Sequence, residues 1–345
     1  MEAELKATIK TVASLANVSP MTVSRVVNNG TAVKEETRQK VMLAIKKLNY
    51  HRNIFASNLP SRAKVRALGL VIKDFNFDYL LTVSYFNEIL HGIQETVASK
   101  NYDLVIYNVN PYDRNDVNVG KWYHAGMVQG FLILSPDKED TIIDRLIKEN
   151  ILFVILGANH DYRDVSYIDV ENEKGVYTAT KHLITLGHER IAIIKGPSGR
   201  ADAFERESGY RMALQDNNIP LHKELVMEGN YDEKSGFEAA VKLLSNKIRP
   251  TAIFACNDLM AMGAVKAIQQ NGLSVPGDIS IIGFDDIPAS SKFSPQLTTI
   301  RQPLKEMGKL GAEFLINDYK DAGALKKRLP VLLMVRESAA QAVSN

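Results

Sequence analysis

The chain holds one cysteine, Cys256, and one tryptophan, Trp122. A lone cysteine excludes an internal disulfide and a cysteine-built zinc site, and it fits a reducing compartment. No apolar run reaches the roughly 18 residues needed to cross a bilayer. The polar start, MEAELKATIK, does not read as a signal peptide. A cytoplasmic location and no membrane partner are therefore expected. GxSxG, GxGxxG and metal-ligand spacings are missing too. Hydrolase, nicotinamide-enzyme and metalloenzyme readings thus lack their usual loops. No catalytic residue, metal ligand or cofactor is assigned.

Excess charge of one sign is absent only on average. The net charge is +2 over 345 residues. Residues 1–66 carry 12 Lys/Arg against 4 Asp/Glu, whereas the remainder carries 30 against 36. A basic head on a mildly acidic body points to an arm that meets a polyanion.

Thr8–Tyr50 reads as three short helices. Thr8 can cap the first, and Ile9, Val12, Ala13 and Ala16 follow at helical spacing. Asn17 suits a left-handed turn, Ser19 caps the second helix, and Pro20 occupies its first turn. Val23, Val26 and Val27 face inward. The third helix is expected from about Glu35 to Asn49. This is helix-turn-helix spacing. Pro20, Met21, Thr22, Ser24, Arg25 and Asn28 remain on the outer side of the second helix. Arg25 can fork onto a guanine edge, and Met21 beside Pro20 can touch a thymine methyl. Thr22, Ser24 and Asn28, with Thr8, can bond phosphates. The plainer alternative is a solvated helix face. Residues 51–66, HRNIFASNLPSRAKVR, form a short basic linker interrupted by Pro60.

From Leu68 onward, apolar runs alternate with amphipathic helices. Strands are expected at 68–72, 102–109, 130–135, 153–157, 190–196, 224–230, 252–257 and 279–286. Near-continuous apolar strands separated by helices indicate parallel sheets covered on both faces. The rhythm repeats, so two α/β lobes are expected, with 298–303 and 331–338 as returning strands. Lobes facing each other would form one cleft at the carboxyl ends of the strands.

The stretch Thr8–Leu59 resembles the DNA-binding head of the LacI/GalR family of bacterial transcription regulators. The segments TKHLITLGHERIAII, ERESGYRMAL, PTAIFACNDLMAMGAVKAI, VPGDISIIGFDDIP and LTTIRQPLKEMGKLGAEFL resemble its ligand-binding core, in order along nearly the whole chain. The resemblance implies an all-α helix-turn-helix head (1–50) and a hinge helix (51–66). It also implies a two-lobed α/β core (67–345) like the periplasmic binding proteins, with parallel sheets. The lobes would divide as about 67–167 with 300–326, and 168–298 with 328–343. Residues 53–59, including Asn53 and the small Ala56, would form a minor-groove hinge helix on DNA. Leu59 aligns with the family's intercalating leucine, which unstacks a base step; it could instead pack on the core. Four positions of the head depart from the family pattern, the first being Asn17 in place of the usual turn glycine, a tolerable exchange. Thr11 replaces an aspartate, which is expected to weaken the reciprocal capping box. Lys34 replaces the serine cap of the third helix, and Arg52 replaces a proline.

The resemblance also implies a ligand-gripping role for Arg206 and aromatic contacts from Tyr231, Tyr85 and Phe86. Asn257 and Asp285 end strands at the cleft. Arg, Asn, Asp and aromatics together suit a polyhydroxylated ligand. Asp285 could instead cap its loop, and Tyr85 and Phe86 could be core. Asp258 and Asp286 read as structural, His188 as a turn stabiliser and Trp122 as packing. The function implied is a homodimeric repressor on a near-palindromic operator, controlled by a small molecule, with carbohydrate favoured over nucleobase. A transport solute-binding protein is the competing class.

Overall fold

A computed structural model describes residues 8–27, 33–48, 50, 66–73, 84–109, 118–134, 141–157, 164–317 and 323–343. Asn28, Asn53, Ala56 and Leu59, and nearly all of the linker, lie outside these residues.

The head contains α1 (Ile9–Leu15), α2 (Pro20–Val27) and α3 (Glu35–Lys47). Val12, Ala13, Ala16, Val23, Val26, Val41 and Ala44 form its small core. Asn17 turns the chain at φ +53°, a conformation that Asn tolerates better than most residues. The Ser19 hydroxyl accepts the Thr22 N–H at 3.1 Å, and Lys34 gives α3 no side-chain cap. The capping box at α1 is complete, contrary to the expectation from Thr11. Thr11 Oγ1 accepts the Thr8 N–H at 2.7 Å, and Thr8 Oγ1 accepts the Thr11 N–H at 3.1 Å. A threonine hydroxyl reaches back as the aspartate would, and it also donates to the Thr8 carbonyl at 2.9 Å. Removing a cap of this kind costs about 1 kcal/mol. Thr11→Ala should therefore speed exchange of the first α1 amides roughly fivefold. Hydrogen exchange on the full chain checks this.

The first lobe is a parallel sheet in the order β11-β5-β4-β3-β1-β2. Its strands are β1 (Ala67–Lys73), β2 (Asp103–Val109), β3 (Phe131–Leu134), β4 (Phe153–Leu156), β5 (Ser166–Val170) and β11 (Lys326–Leu329). Helices α4 (Ser84–Ser99), α5 (Asn118–His124), α6 (Thr141–Lys148) and α11 (Leu304–Ile316) belong with it. Helices α4 and α11 cross where Gly92 and Gly308 each lie against the other helix's backbone, with no room for a Cβ. Trp122 packs edge-on to Tyr107, 4.9 Å between ring centres.

The second lobe orders its strands β12-β10-β9-β8-β6-β7, all parallel except the β10–β12 pair. They are β6 (Ile191–Lys195), β7 (Val226–Glu228), β8 (Ala252–Ala255), β9 (Ser280–Asp285), β10 (Thr298–Arg301) and β12 (Leu332–Met334). Its helices are α7 (Asn172–Thr185), α8 (Ala201–Asp216), α9 (Glu233–Leu244) and α10 (Asp258–Gln270). His188 is buried and ties the end of the chain to this sheet, through Thr251 Oγ1 at 3.0 Å and the Ala340 carbonyl at 3.0 Å.

The chain passes between the lobes three times, after β5, β10 and β11. The crossovers fall a few residues from their expected places. All of β5 lies in the first sheet, all of β10 in the second, and β11 continues the first sheet to Leu329. Hydrogen-bond pairing, not apolar content, sets these limits. Among the described residues, no helix is long and apolar enough to cross a membrane.

Candidate functional site

Two surfaces carry the residues singled out above. On α2, Val23 and Val26 are buried while Pro20, Met21 and Arg25 are exposed. Residues four apart share a helix face. Met21 and Arg25 accordingly meet, with the guanidinium Nη2 3.7 Å from the thioether sulfur. Ser24 sits beside them, half-buried. Thr8 and Thr22 are both engaged in capping: the Thr22 hydroxyl lies 2.9 Å from that of Ser19.

The cleft residues lie at the carboxyl ends of β6, β8 and β9. Arg206, on α8, is 4% exposed. Its Nε donates to Asn172 Oδ1 at 2.8 Å, its Nη1 donates to the Cys256 carbonyl, and its plane lies 3.9 Å from the Phe284 ring centre. Helix α8 comes this close to α7 because Gly209 leaves room for the Glu173 carbonyl. Bonds on two of its three nitrogens and a stacked ring fix the direction of the fork.

Asp285 ends β9 at φ +128°, and Asp286 follows at +58°. Such backbone is strained for residues with a Cβ, and persists only where the surroundings enforce it. They do so here. Asp258 accepts from the Ile287 N–H at 3.0 Å and from the Ser290 and Thr299 hydroxyls. Asp286 pairs with both Arg301 and Arg336 at 2.6 Å. Asp258 and Asp286 are thus the structural carboxylates of this loop. Asp285 itself accepts from Gln302 Nε2 at 2.6 Å. Burial pushes its carboxyl well above the usual range, against the pull of Arg206.

Tyr231 stands at φ +59° and donates its hydroxyl to Asp202 Oδ2 at 3.0 Å. Asn257 caps α10: its Oδ1 accepts the Met260 N–H at 2.9 Å, and its Nδ2 donates to the Tyr231 carbonyl at 2.8 Å. Both ends of that amide are therefore engaged within the protein, holding Tyr231. Tyr85 and Phe86 begin α4 in the first lobe and meet edge-on, 5.3 Å apart. The Tyr85 hydroxyl is pushed upward by burial and by the nearby charge of Asp285, with Arg206 opposing.

Several buried polar residues that the sequence reading did not name join the site. Asp202 lies one turn before Arg206. Burial alone would raise its carboxyl, but Arg200 and Arg206 hold it at about 2. Asn172 bonds Arg206 and also Asp169, at 3.3 Å. The four-residue spacing of Asp202 and Arg206 on one helix face was the one available signal.

Asp169, at the first crossover, has its carboxyl pushed up to about 6 by burial, against the bond from the Val170 N–H. The folded state therefore holds this proton more tightly than an unfolded aspartate of ordinary pKa about 3.9. Its contribution to stability is full below about pH 4 and is lost as pH rises through about 6. Asp202 works in the opposite direction, and only below about pH 4. Between pH 4 and 6, Asp169→Asn should remove up to about 2 kcal/mol of the stability that the parent loses. Calorimetry of both proteins across that interval checks the difference.

A sequence model of the lacI family of bacterial regulatory proteins matches residues 8–53, and one of the periplasmic binding protein-like domain matches residues 180–339. The HTH-type transcriptional repressor PurR of Aliivibrio salmonicida (strain LFI1238) is 36% identical over 321 residues, 91% of this chain and 93% of that one. The transcriptional regulator CelR in complex with cellobiose superposes with a TM-score of 0.75 at 30% identity, covering 96% of this chain and 99% of CelR. The Lac repressor dimer bound to operator and the anti-inducer ONPF gives 0.70 at 30% identity, covering 97% and 100%. Head and core thus match together and in order, and the chain belongs to the lacI family of bacterial regulatory proteins, which are DNA-binding regulators with a small-molecule-binding core and not enzymes.

Proposed function

We propose that this chain is a homodimeric repressor whose affinity for a near-palindromic operator is set by a carbohydrate held between its lobes. Pro20, Met21 and Arg25 read base edges in the major groove. Thr8, Thr22, Ser24 and Asn28 hold phosphates, Thr8 and Thr22 through what their caps leave accessible. Asn53, Ala56 and Leu59 enter the minor groove between the half-sites. In the cleft, Arg206 and Asp285 grip paired hydroxyls, and Tyr85, Phe86 and Tyr231 supply apolar faces. Asn257 holds Tyr231 in place and touches ligand only with lone pairs its cap leaves over.

The carrying observation is the forked Arg206, aimed by Asn172 and stacked on Phe284, with the carboxyl of Asp285 close enough to feel its charge. A rigid cationic fork beside a carboxyl complements adjacent hydroxyls, one accepting and one donating. The cellobiose complex of CelR supports the carbohydrate class, and the operator-bound Lac repressor dimer supports the assembly. A ligand changes operator affinity only through its different affinity for the two lobe arrangements, and operator must change ligand affinity reciprocally.

The test is a thermal-shift screen of sugars, sugar phosphates and purines on the full chain, paired with enrichment of genomic fragments. A ligand at 100 times its Kd stabilises by about 2.7 kcal/mol, a shift of several degrees. A saccharide alone among the three classes should give it. A shift with purines only would replace carbohydrate by nucleobase. Failure to enrich any DNA sequence, with or without ligand, would remove the repressor reading.

A further inference from the structure

Arg328 lies on β11, the edge strand of the first sheet, in register with Asp169 on β5. Its guanidinium forks onto Glu205 of α8, with Nη1–Oε2 at 3.1 Å and Nη2–Oε1 at 2.5 Å. Glu205 belongs to the second lobe. The two residues, 123 apart in sequence, join the lobes beside the crossovers.

Glu205 does not end the connection. Asn172 Nδ2 also donates to Glu205 Oε2, at 3.4 Å, to Asp169 Oδ1, at 3.3 Å, and to the Val170 carbonyl, at 3.4 Å. The other end of the same amide, Oδ1, accepts from Arg206 Nε at 2.8 Å. Asn172 is fully buried, so its acceptors decide which way the amide faces. With two carboxylates and a backbone carbonyl on the nitrogen side, the oxygen is left for Arg206. Glu205 and Arg206 are consecutive on α8 and point about 100° apart around the helix axis. One faces the first lobe and the other the cleft.

We propose that Arg328 and Glu205 are positioning residues for the ligand grip. The first lobe, through Arg328, holds Glu205; Glu205 sets the Asn172 amide; the amide aims Arg206. Orientation of the lobes and direction of the fork then change together. This gives the effector-controlled reading above, on which it rests, a specific route from the hinge to the ligand. The Arg328 side chain is 35% exposed and that of Glu205 20%, and solvent screening at the arginine keeps the pair's share of folding stability small. Its loss should therefore be felt in the aim of Arg206 far more than in the melting point.

The test uses the full chain labelled with ¹⁵N-arginine. The Arg206 Nε–H signal is assigned by its disappearance in Arg206→Lys. In Arg328→Gln and in Glu205→Gln, its exchange with water should accelerate about tenfold, as for a local opening. The double variant should be no worse than either single one, because both act through one connection. The melting temperature should move by no more than about 2 °C. With cellobiose as probe, the half-saturating concentration should rise about five- to tenfold. Unchanged Arg206 exchange in Arg328→Gln overturns the proposal, as does strict additivity of the two substitutions. Accelerated exchange without any saccharide binding supports the positioning role and rejects the carbohydrate reading of the cleft. The two failures are thereby distinguishable.

Discussion

Arg206→Ala is expected to raise the half-saturating ligand concentration about 10- to 150-fold, since a hydrogen bond made by a charged group is worth about 1.5–3 kcal/mol. Binding to the operator without ligand should persist, because no head residue is touched. The substitution also leaves the Asn172 amide oxygen, the Cys256 carbonyl and the Phe284 ring without the group they hold. Asp285, losing the nearby positive charge that lowers its pKa, shifts further toward its neutral form. Arg206→Lys keeps a charge but offers a point in place of a planar fork. It should fall between parent and alanine variant. Calorimetric titration with the saccharide found by the screen, beside operator binding in the same buffer, reads both quantities. An unchanged ligand affinity in Arg206→Ala would remove this residue from the grip.

Arg25→Ala should have the other large effect, on sequence discrimination. A bidentate contact to a guanine edge is worth about 1–3 kcal/mol, and a dimer makes it twice. The preferred sequence should therefore lose roughly 30-fold or more against random DNA. Binding to random DNA, and most of its salt dependence, should remain, since phosphate contacts supply them. Met21 lies against the guanidinium, so Met21→Ala should widen the same preference by freeing the arginine. Competition assays at two salt concentrations separate the readings. Equal loss on every sequence, with a shallower salt slope, would make Arg25 a phosphate contact.

The head and most strands could be read from the sequence because their patterns are local. Asn17, Ser19 and Pro20 punctuate a short turn, and runs such as AIFA on β8 are buried throughout. What escaped was decided by partners far along the chain. Strand β5, SYIDV, mixes polar with apolar residues, and β11, KKRL, exposes three basic side chains. Neither looks like a buried strand, yet they pair with each other across more than 150 residues. The cleft divided in the same way. Arg206 and Tyr231, through the resemblance, and Asp285, through its strand end, could be proposed for the cleft in advance. Nothing in the spacing told that Asn257 uses both ends of its amide for capping and for Tyr231. Asp202, Asn172 and Asp169 look like ordinary helix-start and strand-end residues until folding brings Arg206 among them. Thr11 shows the reverse error: a missing carboxylate suggested a lost cap, but a hydroxyl at the same position serves.

The triple passage of the chain between the lobes constrains biosynthesis. The first sheet starts at Ala67, but its outer strand ends at Leu329. No nascent chain can complete the first sheet before Leu329 has been translated. Pairings of such long sequence separation form slowly, and their unsatisfied edges invite aggregation while the ribosome works. A gene fragment ending at Asn317 would encode α11 but neither β11 nor β12, leaving both sheets one strand short.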